Sequence, residues 1–186
     1  MSTVSAPFGL RPVAHPSGTI RQETLVNGIA SAYASAIYTG TPIKRGTDGT
    51  LNVCTTGADV CIGVFQGCEF SSAGKFFVLP YWPAAQTYDS DGLMEAYYTS
   101  DKEIIYEGQA DGAVPQSELG ESINLANTTQ GSTYTGLSTQ ALTATTTGAS
   151  AGTFQIVGLA PYPGNAWNDA YTILRVKISS YQGVIA

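Results

Sequence analysis

Val60-Cys61-Ile62-Gly63-Val64-Phe65-Gln66-Gly67-Cys68-Glu69-Phe70-Ser71-Ser72-Ala73-Gly74-Lys75-Phe76-Phe77-Val78-Leu79 is the stretch on which the fold turns. Residues 60–65 are an apolar run too short for a helix and rich in β-formers, which predicts a buried strand. Gly67-Cys68-Glu69-Phe70 prolongs it, with Gly67 marking a bulge. Ser71 to Gly74 is a turn signal, and Lys75 to Leu79 is the next strand. Pro80-Tyr81-Trp82-Pro83 breaks that strand.

The same alternation of short strand and turn runs outward in both directions. Upstream, Thr41 to Arg45 and Thr50 to Val53 flank Gly46-Thr47-Asp48-Gly49, which predicts a hairpin. Earlier still, residues 32–38 are Ala-rich enough for a short helix, but Tyr33, Ile37 and Tyr38 favour a strand. Downstream, strands are predicted over 93–98, 103–107, 122–125, 154–159 and 171–178, with Arg175 and Lys177 on an outward face. Residues 115–119 read as one helical turn. Residues 127–152 hold no charged side chain, with Leu137 and Leu142 as their few anchors, and read as a long surface loop or weak hairpin. Strands recurring about every ten residues with turns between them predict an all-β fold, a compact β-barrel or β-sandwich-like body.

Composition agrees. Of 186 residues, 43% are apolar but only 12% are charged, too few to clothe amphipathic helices. Eight cationic and fourteen anionic side chains leave a net charge of −6, and no basic run exists, which argues against nucleic-acid binding. No apolar run is long enough for a membrane helix, and the first residues lack the pattern of a secretory signal. Three cysteines cannot close a disulfide framework, so synthesis in a reducing cytoplasm is expected.

Residues 1–19 carry Pro7, Pro12 and Pro16 beside Phe8, Leu10, Arg11 and Val13. This predicts an extended N-terminal arm that packs on its own body or on a neighbour, with those four residues as interaction candidates. Residues 20–186 form the β-rich body, with a candidate sub-boundary near 111–113. The later strands are expected to fold without residues 2–14.

Candidates for chemistry are few. His15 is the one histidine and lies in the arm, a poor setting for a catalytic base. Cys54, Cys61 and Cys68 are spaced by seven, unlike the close pairs of zinc sites. On a strand that step reverses the face, so they read as small, reduced core residues. Asp89-x-Asp91-Gly92 is better explained as a turn than as a calcium loop. Glu103 and Glu107, four apart on one predicted strand, could share a face as an acid–base pair. Trp82 and Trp167 sit in predicted loops, as half-buried anchors or as a platform for a sugar or partner. No catalytic residue, cofactor or metal is expected, which favours a binding or structural protein over an enzyme.

Three segments together carry a resemblance. They are Ala6 to Val13 with His15-Pro16-Ser17-Gly18; Ile37 to Gly49 followed by Ile62 to Gly67; and Phe154 to Pro161 with Gly164 to Tyr171. The combination resembles small structural proteins of tailed bacteriophages, which are similar to capsid decoration, or cement, proteins. The resemblance implies a β-rich protein on the virion's capsid exterior, with the major capsid protein as partner and a homo-oligomer, a trimer favoured. The acidic charge is consistent with the outer surface, since packed DNA inside would repel it. The alternative is a carbohydrate- or receptor-binding module of the same virion, using Trp82 and Trp167.

Overall fold

The computed structural model describes residues 2–55, 59–90, 92–126, 131–148 and 152–183. The fold is all-β and built from antiparallel sheets, as the strand spacing predicts. The 60–79 stretch gives a hairpin whose first strand is the longest of the described strands. β6 (Gly63–Ser72) and β7 (Lys75–Leu79) are joined by a turn at Ala73-Gly74, both with positive φ. That geometry suits the right-handed twist of a two-residue hairpin.

The first sheet has the order β1-β10-β14-β13-β11-β12, built from β1 (Arg11–Ala14), β10 (Ile105–Gln109), β14 (Ile173–Ile178), β13 (Phe154–Leu159), β11 (Ser122–Leu125) and β12 (Leu142–Thr146). The second runs β2 (Glu23–Val26), β9 (Met94–Thr99), β6, β4 (Pro42–Arg45), β5 (Leu51–Val53), with β7 on the far half of β6. β3 (Ile37–Tyr38) and β8 (Tyr81–Trp82) form a small ribbon. One 3-10 turn occupies Gln116–Glu118.

Each sheet buries its own apolar face. Tyr106, Ile123, Leu142, Phe154, Leu174 and Val176 lie in one cluster; Phe65, Phe70, Met94, Trp82 and Ile43 lie in the other. Strand alternation decides which side chains go in: β14 buries Leu174, Val176 and Ile178 and turns Arg175 and Lys177 outward. A bulge between Phe65 and Gly67 shifts the β6–β9 register where Gly67 was expected to mark one. Gly63 is fixed by close approach, because a Cβ there would lie 1.6 Å from the Thr99 carbonyl oxygen.

Several local expectations change. Residues 32–36 are turn and bend, and only Ile37–Tyr38 is strand. Ala32 takes a positive φ, and the Tyr33 hydroxyl leaves the chain to accept the Val53 amide. Val60 is exposed, and the buried strand begins at Gly63. Within the Thr-rich segment, 127–130 and 149–151 lie outside the described residues, but β12 is an edge strand with Leu142 fully buried. Threonine suits the exposed face of that strand, while residues 131–141 are turns, isolated bridges and irregular chain, so the segment is a loop closed by a strand.

The N-terminal segment lies on its own body. The Ser2 amide donates to Asp169, the Ala6 amide donates to the Gln109 side chain, and β1 adds an edge to β10. Leu10 is 2% exposed and belongs to the first core. Residues 2–14 thus supply a strand and a core residue to the body. Asp111–Ala113 connects β10 to β11, two strands of one sheet.

Candidate interaction surface

The outward faces of the two sheets are built differently. On the first, register places Arg11, Glu107 and Arg175 side by side on β1, β10 and β14. Arg11 Nη2 lies 3.2 Å from Glu107 Oε2, and Arg175 Nε lies 3.1 Å from Oε1. The Tyr162 hydroxyl donates to Glu107 and accepts from Arg11. Phe8 and Tyr162 both offer ring faces to the Arg11 guanidinium, at 5.3 and 5.8 Å. Glu107 is only 3% exposed. Burial pushes its carboxyl up, but hydrogen bonds from Tyr162, Arg175 and Arg11 outweigh that and hold it below the ordinary glutamate value. One row further, Lys177 Nζ reaches Glu103 at 2.8 Å. On this face both carboxylates are paired with cations.

Glu103 and Glu107 therefore do not form a pair. Glu103 lies in the turn before β10, and each carboxylate is held by its own cations. Phe8, Leu10 and Arg11 instead line a shallow apolar groove of about 250 Å³, together with Leu137 and Gln66. Val13 lies half-buried on β1 outside that groove.

The outward face of the second sheet has no such compensation. Cross-strand register aligns Val78 with Glu69, Glu69 with Glu95, and Glu95 with Val26 across β7, β6, β9 and β2. Phe76 and Tyr97 share the same face by alternation. Two like charges directly opposite each other repel. Tyr97 lies on the same face beside them, and burial together with the Glu69 and Glu95 carboxylates pushes its hydroxyl up to about 12. Neither Glu69 nor Glu95 belongs to any of the ion pairs among the described residues. Around the carboxylates, Phe76 (58% exposed), Val78 (65%) and Val26 (60%) face solvent. Among the described strands β7 pairs with β6 alone, which leaves its other backbone edge open. Phe77 anchors the strand by stacking on Phe70, centroids 5.3 Å apart.

Neither tryptophan forms an exposed platform. Trp82 is fully buried on β8, edge-on to Phe70 at 5.1 Å and to Tyr88 at 6.2 Å. Its flanking prolines end a strand and begin a ribbon; they do not make a loop. Trp167 is half-buried against the first core. His15 has company that the sequence did not signal. Its Nε2 lies 3.2 Å from Asp101 Oδ2, and its Nδ1 lies 2.6 Å from the Ser17 hydroxyl, in a polar crevice of about 220 Å³. Nδ1 also accepts the Ser17 amide, so the row ties the 15–19 turn to the loop at Asp101. For the acidic turn at residue 89, Asp91 lies outside the described residues; Asp89 accepts the Ala73 and Gly74 amides and so braces the β6–β7 turn.

Fold and surface together define an all-β protein with one sheet face whose carboxylates are paired with cations and one that is apolar, acidic and uncovered. No protein-family model, no curated protein and no solved structure matches the chain.

Proposed function

We propose that this chain is a structural virion protein that binds the outer surface of a bacteriophage capsid and bridges and stabilises neighbouring capsomers. The major capsid protein is its partner, and a homo-oligomer, with a trimer favoured, is its working form. The observation that carries the reading is the outward face of the second sheet. An open-edged strand bearing exposed Phe76 and Val78 is a liability in an isolated protein, and it is suited to adding a strand or an apolar surface from a partner. The resemblance of the 6–18, 37–67 and 154–171 segments to phage structural proteins points the same way. Glu69 and Glu95 at the centre of the face call for a partner that brings a basic side chain among apolar ones, since a cation there relieves the repulsion.

Binding of this kind rests chiefly on apolar and backbone contacts and tolerates salt, whereas exposed ion pairs are screened. Hundreds of copies acting in parallel let each bridge be modest in strength. The experiment strips the protein from particles, adds it back at low and at about 1 M salt, and measures the temperature of DNA release. Restoration of that temperature at both salt levels is expected. An unchanged temperature after add-back, or a position inside the shell, overturns the proposal.

A further inference from the structure

Cys54 and Cys61 meet although their spacing argued against it. The seven-residue step does not run along one strand: Cys54 follows the end of β5, and Cys61 lies just before β6. Their Sγ atoms are 2.6 Å apart, and both side chains are fully buried in the first core. Different segments hold them in place. The Cys54 amide donates to the Pro42 carbonyl on β4, while the Cys61 amide donates to Ser180 and its carbonyl accepts the Gln182 amide. Cys68 is apart from both: it belongs to the second core, where its thiol contacts the Tyr81 carbonyl at 3.5 Å.

We propose that Cys54 and Cys61 are a redox site that closes an intramolecular disulfide, with Cys68 excluded. This does not rest on the protein's being a virion component. The oxidant is a small-molecule disulfide such as oxidised glutathione. One cysteine thiolate attacks it, forming a mixed disulfide and releasing one glutathione thiol. The second cysteine then attacks the protein-side sulfur, the Cys54–Cys61 bond forms, and the second glutathione leaves as a thiol. The two protein thiol protons end on the two glutathione molecules, which are reduced as the protein loses two hydrogens. Burial pushes the Cys54 thiol up and shields both sulfurs, so the reaction in the folded protein waits on local opening and is slow.

The chain contains its own control. In an unfolded chain the 54–61 and 61–68 loops are equally long and close with equal entropy, so any preference between them comes from the fold, and an excess of about tenfold or more is expected for 54–61. The protein is refolded from denaturant in a mixture of reduced and oxidised glutathione, which removes the barrier of access. Links are then mapped after cleavage before Asp59 and after Phe65, which separates all three cysteines. The expected product has a Cys54–Cys61 link, one thiol titratable in denaturant, and no link between chains. Cys68→Ser should form the same link, and Cys54→Ser should form none in excess. Equal 54–61 and 61–68 links, or three titratable thiols after refolding to the native state, would overturn the proposal.

Discussion

The two sheets meet solvent in opposite ways. On the first, a buried carboxylate has two arginines and a tyrosine around it, and the N-terminal segment is stitched across the neighbouring edge. On the second, two carboxylates face each other with a tyrosine beside them, and exposed Phe76, Val78 and Val26 surround them. The chain has few charges: Arg11, Arg175 and Lys177 pair with Glu107 and Glu103 on the first face, while Glu69 and Glu95 on the second lie opposite each other among apolar side chains. A face completed by its own chain serves stability; a face left incomplete serves a partner.

The largest way to break this contrast is to uncover the first sheet. Leu10→Ala should cost about 2–5 kcal/mol in chemical denaturation, because it empties a core site and loosens the segment carrying Arg11. A cost under about 1 kcal/mol would show that the N-terminal segment is an appendage after all.

Next in size is the Glu107 cluster. Glu107→Ala leaves two arginines without their carboxylate; since both are partly exposed, the loss should be about 1–3 kcal/mol. The pH dependence has a definite sign. The folded-state value of Glu107 is depressed, so its contribution is present above the unfolded-state value and is lost as pH falls through the folded one. Melting temperature should therefore fall below the ordinary glutamate range in the parent protein, and fall less steeply in Glu107→Gln.

The second sheet should respond in the opposite direction. Glu69→Gln removes a cross-strand repulsion and should stabilise the isolated protein by about 0.2–1 kcal/mol. The same change should bring the Tyr97 hydroxyl down from about 12, readable by ultraviolet titration of the phenol. Smallest of all, Phe76→Ser with Val78→Ser should move folding stability by no more than about 0.5 kcal/mol, since both side chains already face water.

What the sequence could show was whatever is local. Alternation marked β6, β7, β9 and β14, Asp48-Gly49 marked the β4–β5 hairpin, and Gly67 marked the bulge. What it hid depends on contacts between distant segments. Nothing near Arg11 signals Glu107 or Arg175, because strand order in the sheet makes them neighbours. Trp82 between two prolines looked like a loop residue because its partner strand, Ile37–Tyr38, is two residues long and far away. Cys54 and Cys61 were separated by reading their spacing along one strand when they flank two different ones. The uncovered face was half legible: Phe76 and Val78 announce an apolar strand, but only the register shows that they share a face with Glu69 and Glu95.

The central claim is that the outward face of the second sheet is where the partner binds. The most direct measurement adds the Phe76→Ser/Val78→Ser protein to stripped particles beside the parent protein and reads both occupancy and the temperature of DNA release. The double variant should fold normally yet bind weakly and leave that temperature near the stripped value. Equal occupancy and equal protection by the two proteins would contradict the account.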